Sequence, residues 1–161
     1  MENLKSDLNH LKSKENFKFT KLHEKRFKVL QKTYQYVNEN IDLLAVMVSN
    51  YKVVPDGVSK NKYEEKLSFN FNNSYDNFRN YYSINLIFFS EEIELLLKRY
   101  FEVSKLINAQ YYVGQELNTQ YSSEFLVDVD SFSINGTQII AEQLIPIKKE
   151  IEKKFRELLG E

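Results

Sequence analysis

LQKTYQYVNENIDLLAVMVSNY, residues 30–51, places apolar side chains at Leu30, Tyr34, Val37, Ile41, Leu44, Val48 and Tyr51. Alternating steps of four and three residues put them on one helical face, the spacing by which one helix packs along another. The chain upstream favours the same element. The first 54 residues contain neither glycine nor proline, the residues that most weaken or break a helix interior. At ~1.5 Å per residue, a helix of about 50 residues reaches roughly 75 Å. Half of it must therefore protrude, bend back or pair with another molecule. A first seam, Leu4, Leu8 and Leu11 followed by Phe19 and Leu22, is out of step with the later one, and predicts a break or skip near Glu15–Phe17.

Glycines and prolines punctuate the rest. Pro55-Asp56-Gly57 has the chemistry of a turn. Ser59 is placed to cap a second helix with Tyr63, Leu67, Phe71, Phe78 and Tyr82 on one face, and Phe69 and Tyr75 nearby. The apolar run from Ile84 to Phe89 reads as the end of that helix and a tight connection. Ser90 followed by Glu91 and Glu92 combines a capping hydroxyl with acids at the positive end of the helix dipole. The third helix is expected to run to about Gly114 or Leu117. Residues 119–136 read as a short helix or an irregular segment. Thr137 then opens a last helix with Ile140, Leu144, Ile147, Ile151, Phe155 and Leu158 in its seam and Gly160 at its end. Pro146 lies inside this pattern and predicts a kink or a new first turn.

These elements predict an all-α fold: an elongated helical bundle of about four main helices, with a long N-terminal helix able to extend as a coiled coil. Residues 1–28 form a basic helical extension and residues 29–161 a single globular bundle. With 161 residues, 42% of them hydrophobic, the chain suits one domain with a real core.

Three strings resemble an unannotated bacterial all-helical domain. They are residues 21–26 (Lys-Leu-His-Glu-Lys-Arg) leading to Val29, Leu30 and Tyr34; residues 80–85 (Asn-Tyr-Tyr-Ser-Ile-Asn) with 88–92 after them; and residues 151–160. Similar domains often follow membrane helices or coiled coils, and no activity is established for them. The resemblance covers roughly residues 20–105 and 144–160 and supplies no catalytic residues. This chain departs from the pattern in having no run approaching the ~18 apolar residues of a membrane span. With no signal-peptide core at its N-terminus, it is expected to be cytoplasmic.

The absence of cysteine excludes disulfides, thiolate metal sites and cysteine nucleophiles. The two histidines, His10 and His23, both fall on the polar part of helix one. His23-Glu24 begins like a zinc-protease motif, but Phe27 stands where the second ligand belongs. The Arg-to-His spacing of helical HEPN ribonucleases is absent, since no histidine follows Arg79, Arg99 or Arg156. Glu91, Glu92, Glu94 and Glu102 lack the histidines of a di-metal bundle, and Asp128 and Asp130 lack the rest of a calcium loop. There is no phosphate-binding glycine loop or nucleophile elbow. The sequence therefore predicts no enzyme, no cofactor, no metal and no small-molecule substrate.

The positive signal is charge. Residues 1–33 carry nine Lys/Arg against four Asp/Glu, and residues 34–147 eight against fifteen, within a formal net charge of −1. Lys18, Lys21, Lys25, Arg26 and Lys28 are the candidate contacts to an anionic partner; Lys12, Lys14 and Lys32 extend the run. The aromatics of helices two and three read chiefly as core, with a tyrosine-lined ligand groove as the alternative. The expected function is a non-enzymatic interaction or scaffold protein, forming a homo-oligomer or holding a protein partner through helix one. The alternatives are a binder of nucleic acid or a membrane surface through the basic arm, and a small inhibitor or accessory protein of a mobile element or defence system.

Overall fold

The computed structural model describes residues 2–120 and 135–160, with side chains over 9–116 and 135–160. Helix α1 spans Glu2–Val48, α2 Lys60–Ile84 and α3 Glu91–Gln120. A 3₁₀ turn, Leu86–Phe88, joins α2 to α3. Helix α4 covers 135–159: α-helical over 135–139, π-helical over Ile140–Leu144 and α-helical again over Ile145–Leu159. No strand occurs among the described residues, and none of their helices is long and apolar enough to cross a membrane. The fold is an all-α bundle with a long N-terminal helix.

Helix α1 is continuous, so the break expected near Glu15–Phe17 does not occur. The two seams are one pattern with an eleven-residue repeat. Phe19, Leu30 and Ile41 form one column, and Leu11, Leu22, Thr33 and Leu44 another. Eleven residues take just over three turns, so each column shifts by only about 20° per repeat along the continuous helix.

The helix stops at Val48 without glycine or proline. The Ser49 hydroxyl bonds the backbone of Tyr51 on both sides, accepting from its N–H at 3.2 Å and donating to its carbonyl at 3.1 Å. Tyr51 is therefore beyond the helix and 95% exposed, and it is not a member of the packing seam. Val58 N–H then closes on the Pro55 carbonyl at 3.1 Å, with Gly57 at φ 76°. A side chain rarely adopts that left-handed conformation.

Ser59 caps α2 by accepting from Lys62 N–H, and Ser90 caps α3 by accepting from Ile93 N–H, both at 3.4 Å. Glu91, Glu92 and Glu94 occupy the first turn of α3, where carboxylates meet the exposed N–H ends of the helix. Gly114 sits buried inside α3 and does not end it. The backbone stays helical to Gln120, and helix resumes by residue 135, ahead of the expected start at Thr137; the rest of the segment expected to be irregular lies outside the described residues. Gly136 lies against Val48, close enough that a Cβ would come within 3.1 Å of it. The π turn explains how Pro146 is carried inside α4. Proline has no N–H and its ring crowds the carbonyl four residues back. One wider turn before it, closed by Ile145 N–H on the Ile140 carbonyl, absorbs both. Gly160, at φ 84°, ends the helix.

α1 packs chiefly along α2, and α3 along α4. Leu44, Val37, Phe78, Leu97, Ile107, Leu144 and Ile151 are fully buried between them. Phe78 is the hub of an aromatic cluster, stacked on Tyr36 at 5.3 Å between centroids and tilted against Phe101 at 4.8 Å and Tyr100 at 5.8 Å. The aromatic content thus serves largely as core, although Phe69 is 69% exposed. Asn40, fully buried, donates to Ser74 Oγ at 2.6 Å, and Ser74 donates to Glu39 at 3.1 Å. This polar bridge favours one register of α1 on α2, because sliding would unpair the buried Asn40 side-chain N–H.

Candidate functional site

Burial along α1 changes abruptly. Residues 9–28 are exposed, with Arg26 half-buried, whereas Val29 and Leu30 are 4% and 2% exposed. Leu30, Val37, Ile41, Leu44 and Val48 of the predicted seam lie in the core, and Tyr34 is partly buried against it. Where α1 leaves the bundle, Arg26 Nε donates to the Phe88 carbonyl at 3.0 Å and Lys25 Nζ sits 5.2 Å from the centre of the Phe88 ring. Both contacts hold α1 to the turn between α2 and α3.

The outward half carries Leu11, Phe17, Phe19, Leu22 and Phe27, from 48% to 65% exposed. At ~100° per residue, Leu11, Glu15, Phe19, Leu22 and Arg26 fall within an arc of about 80° that continues the core-facing side of residues 29–48, so two charged side chains interrupt the apolar stripe. The stripe that builds the core thus runs on past it with no described residue covering it. Phe27 opens instead onto a groove between α1 and α4, where Leu30, Tyr34, Phe155, Arg156 and Leu159 enclose about 250 Å³. The Tyr34 hydroxyl donates to Glu152 in the groove wall. Burial, this bond and the carboxylate's charge all push the phenol's pKa up.

The five predicted anion contacts do not form one free patch. Arg26 and Lys25 are engaged at the Phe88 turn, and Lys21 pairs with Glu24 at 3.4 Å on the surface. Lys18 and Lys28 are exposed. The lysines carry a regularity that reading them as a run misses. Lys14, Lys18, Lys21, Lys25, Lys28 and Lys32 recur at steps of four and three. They form a ridge within about 80° of arc, beside the apolar stripe on one side only.

A second polar cluster joins the α1–α2 loop to α2 and α3. Lys52 Nζ lies 2.8 Å from Glu64 and 2.9 Å from the Tyr111 hydroxyl, and Tyr111 donates to Glu64. The Lys52 and Glu64 side chains are only 11% and 12% exposed. Burial first, then the bond to Glu64 and its negative charge, push the Tyr111 pKa up. The neighbouring cleft encloses about 470 Å³ and is lined by Glu64, Glu65, Asn72, Tyr112 and Gln115 among others. Asn72 accepts from Asn108 at 3.0 Å and donates to Tyr112 at 2.9 Å. The cluster's groups satisfy one another, so it acts as a clamp between elements. Sequence reading missed it because its three members lie in three elements with no local pattern.

No group of three or more metal-ligating side chains gathers among the described residues; Asp128 and Asp130 lie outside them. His23 sets its ring tilted against Phe19, 4.1 Å between centroids, on the exposed helix surface. No protein-family model, no curated protein and no solved structure matches this chain.

Proposed function

We propose that this chain is a non-enzymatic interaction or scaffold protein, working through the outward half of α1, which pairs with a second copy or with another protein. The observation that carries the reading is the exposure, among the described residues, of Leu11, Phe19 and Leu22 on a helix whose inner half buries the same face. Covering each of these side chains contributes roughly 1.5–3 kcal/mol. Association costs about 4–15 kcal/mol in lost freedom. The stripe alone therefore gives weak pairing at best, and a stable complex needs a further contribution, from the groove at Phe27 or from the lysines.

Site-specific photo-crosslinking in cells tests the reading. A photoreactive side chain at Phe19 is expected to give adducts of discrete mass, and one at the exposed Lys105 of α3 none. Light scattering on the full chain and on residues 29–161 reports whether the adduct is a second copy. Equal adducts from both positions, or none from Phe19, would sink the proposal.

The lysine ridge favours a second reading, in which the same half-helix binds an anionic surface of nucleic acid or lipid. Salt-dependent gel shifts and liposome sedimentation report on it.

A further inference from the structure

The ridge also bears on what covers the stripe. Lys14, Lys18, Lys21, Lys25, Lys28 and Lys32 border it along one edge, and all six are exposed. Among the described residues only Lys21 of these has a carboxylate partner, Glu24, in a pair more than half exposed on both sides. The other edge carries Asn9, Lys12, Asn16 and His23 and no acid, while Glu15 lies within the stripe itself.

These two edges decide between occupants. In an antiparallel pair of α1 helices, like edges meet, and ridge would face ridge. In a parallel pair, opposite edges meet, and the ridge would face neutral and basic residues. Neither arrangement of a second copy sets a row of acids against the lysines, and the first opposes most of them. A flat anionic membrane asks for a broad apolar face with cations on both flanks. The stripe here is narrow and most of the cations lie on one flank. Nucleic acid would engage the ridge and leave the leucines uncovered. A narrow seam with one charged edge matches a helix whose own seam is edged with carboxylates.

We propose that the outward half of α1 docks an amphipathic helix of another protein, with a leucine-type seam set against Leu11, Phe19 and Leu22 and an Asp/Glu edge set against the lysine ridge. This rests on the interaction reading above and names its partner by chemistry.

The test uses the full chain and two synthetic helical peptides of equal length and identical leucine seams, one edged with Glu and the other with Lys, followed by fluorescence anisotropy. The Glu-edged peptide is expected to bind at least ~10-fold tighter at low salt, with the gap closing as salt rises. Replacing Lys14, Lys18, Lys21 and Lys28 by Glu should reverse the preference, and Leu22→Asp should weaken both peptides. Equal binding of the two peptides, or binding of neither, overturns the proposal. So does tighter binding to phosphatidylserine vesicles or duplex DNA than to the Glu-edged peptide. A homodimer that is lost on deleting residues 1–28 overturns the acidic-helix partner and leaves the interaction reading standing. Absence of any crosslink from Phe19 ends both.

Discussion

Leu44 and Leu22 stand in the same column of α1, yet Leu44 is fully buried and Leu22 is 56% exposed. Nothing in the local backbone distinguishes them, since both lie within one unbroken helix. The difference is what stands opposite. From residue 29 onward α2, α3 and α4 cover the stripe, whereas over Leu11, Phe19 and Leu22 no described element does. Periodicity therefore specifies which face of a helix seeks cover, and only the rest of the fold determines whether cover is supplied from within.

The largest effect should come from the inner half. Leu44→Ala removes side-chain volume at a site with no access to solvent, and is expected to cost about 3 kcal/mol from the lost transfer term and the residual cavity. Urea unfolding followed by near-UV circular dichroism measures it. A loss under about 1 kcal/mol would mean that the bundle collapses around the gap, and that its packing is looser than the burial indicates.

Next comes the clamp at Lys52, Glu64 and Tyr111, which belongs to the bundle alone. Glu64→Ala leaves Lys52, whose side chain is 11% exposed in the intact protein, with only the Tyr111 hydroxyl near its ammonium. Unpairing a fully buried ion costs ~3–5 kcal/mol; with the residual exposure of both partners, about 2 kcal/mol is expected. Tyr111→Phe, which removes one hydroxyl from the triad, should cost about 1 kcal/mol. Neither change should alter the helical signal of a peptide spanning residues 2–28. If Glu64→Ala also weakened crosslinking from Phe19, the two halves would be coupled where the comparison has them separate.

Alkali separates the halves by titration. Tyr75, Tyr82, Tyr100 and Tyr111 all have their pKa raised, burial being the first cause in each, and residues 9–28 contain no tyrosine. A phenol whose folded pKa exceeds its unfolded value keeps its proton after the unfolded chain has lost it. Stability is thus intact below about pH 10 and falls as pH rises beyond it. The fully buried Tyr100 contributes a slope of up to about 1.4 kcal/mol per pH unit. Tyr100→Phe should flatten the alkaline limb of a stability–pH curve and leave the neutral region's pH dependence unchanged. An unaltered alkaline limb would show that the phenol reaches solvent.

Much of this architecture was legible in the sequence because it is local chemistry. The Gly/Pro-free run gave α1, and Ser59, Ser90 and Gly160 marked helix ends where the structure has them. What was not legible depended on contacts or on choice of period. Tyr51 fitted a heptad, but a serine hydroxyl ended the helix three residues earlier. The supposed break near residue 15 came from fitting heptads to an eleven-residue repeat. Gly114 looked like a stop and is instead a buried small residue inside α3. At the candidate site the lysines and the apolar stripe were both visible as residues. Their placement on adjacent edges required knowing that α1 stays unbroken through residues 15–17. The groove at Phe27 joins residues more than a hundred positions apart in the chain, which no local pattern records.

The smallest expected effect lies on the outward half and tests the comparison most directly. Leu22→Ala removes a large side chain from the column that holds Leu44, yet it should change the unfolding free energy of the dilute chain by less than about 0.5 kcal/mol. Alanine also has the higher helix propensity, so the sign can favour the variant. Amide hydrogen exchange adds resolution. Residues 31–48 should exchange only by opening of the bundle, whereas residues 9–28 should exchange through local fraying with far lower protection. Adding the Glu-edged peptide should raise protection over residues 9–28 and leave 31–48 unchanged. Protection in the outward half as high as in the inner half, without any partner and at all protein concentrations, would mean that the stripe is already covered within the chain. The contrast between Leu22 and Leu44 would then vanish.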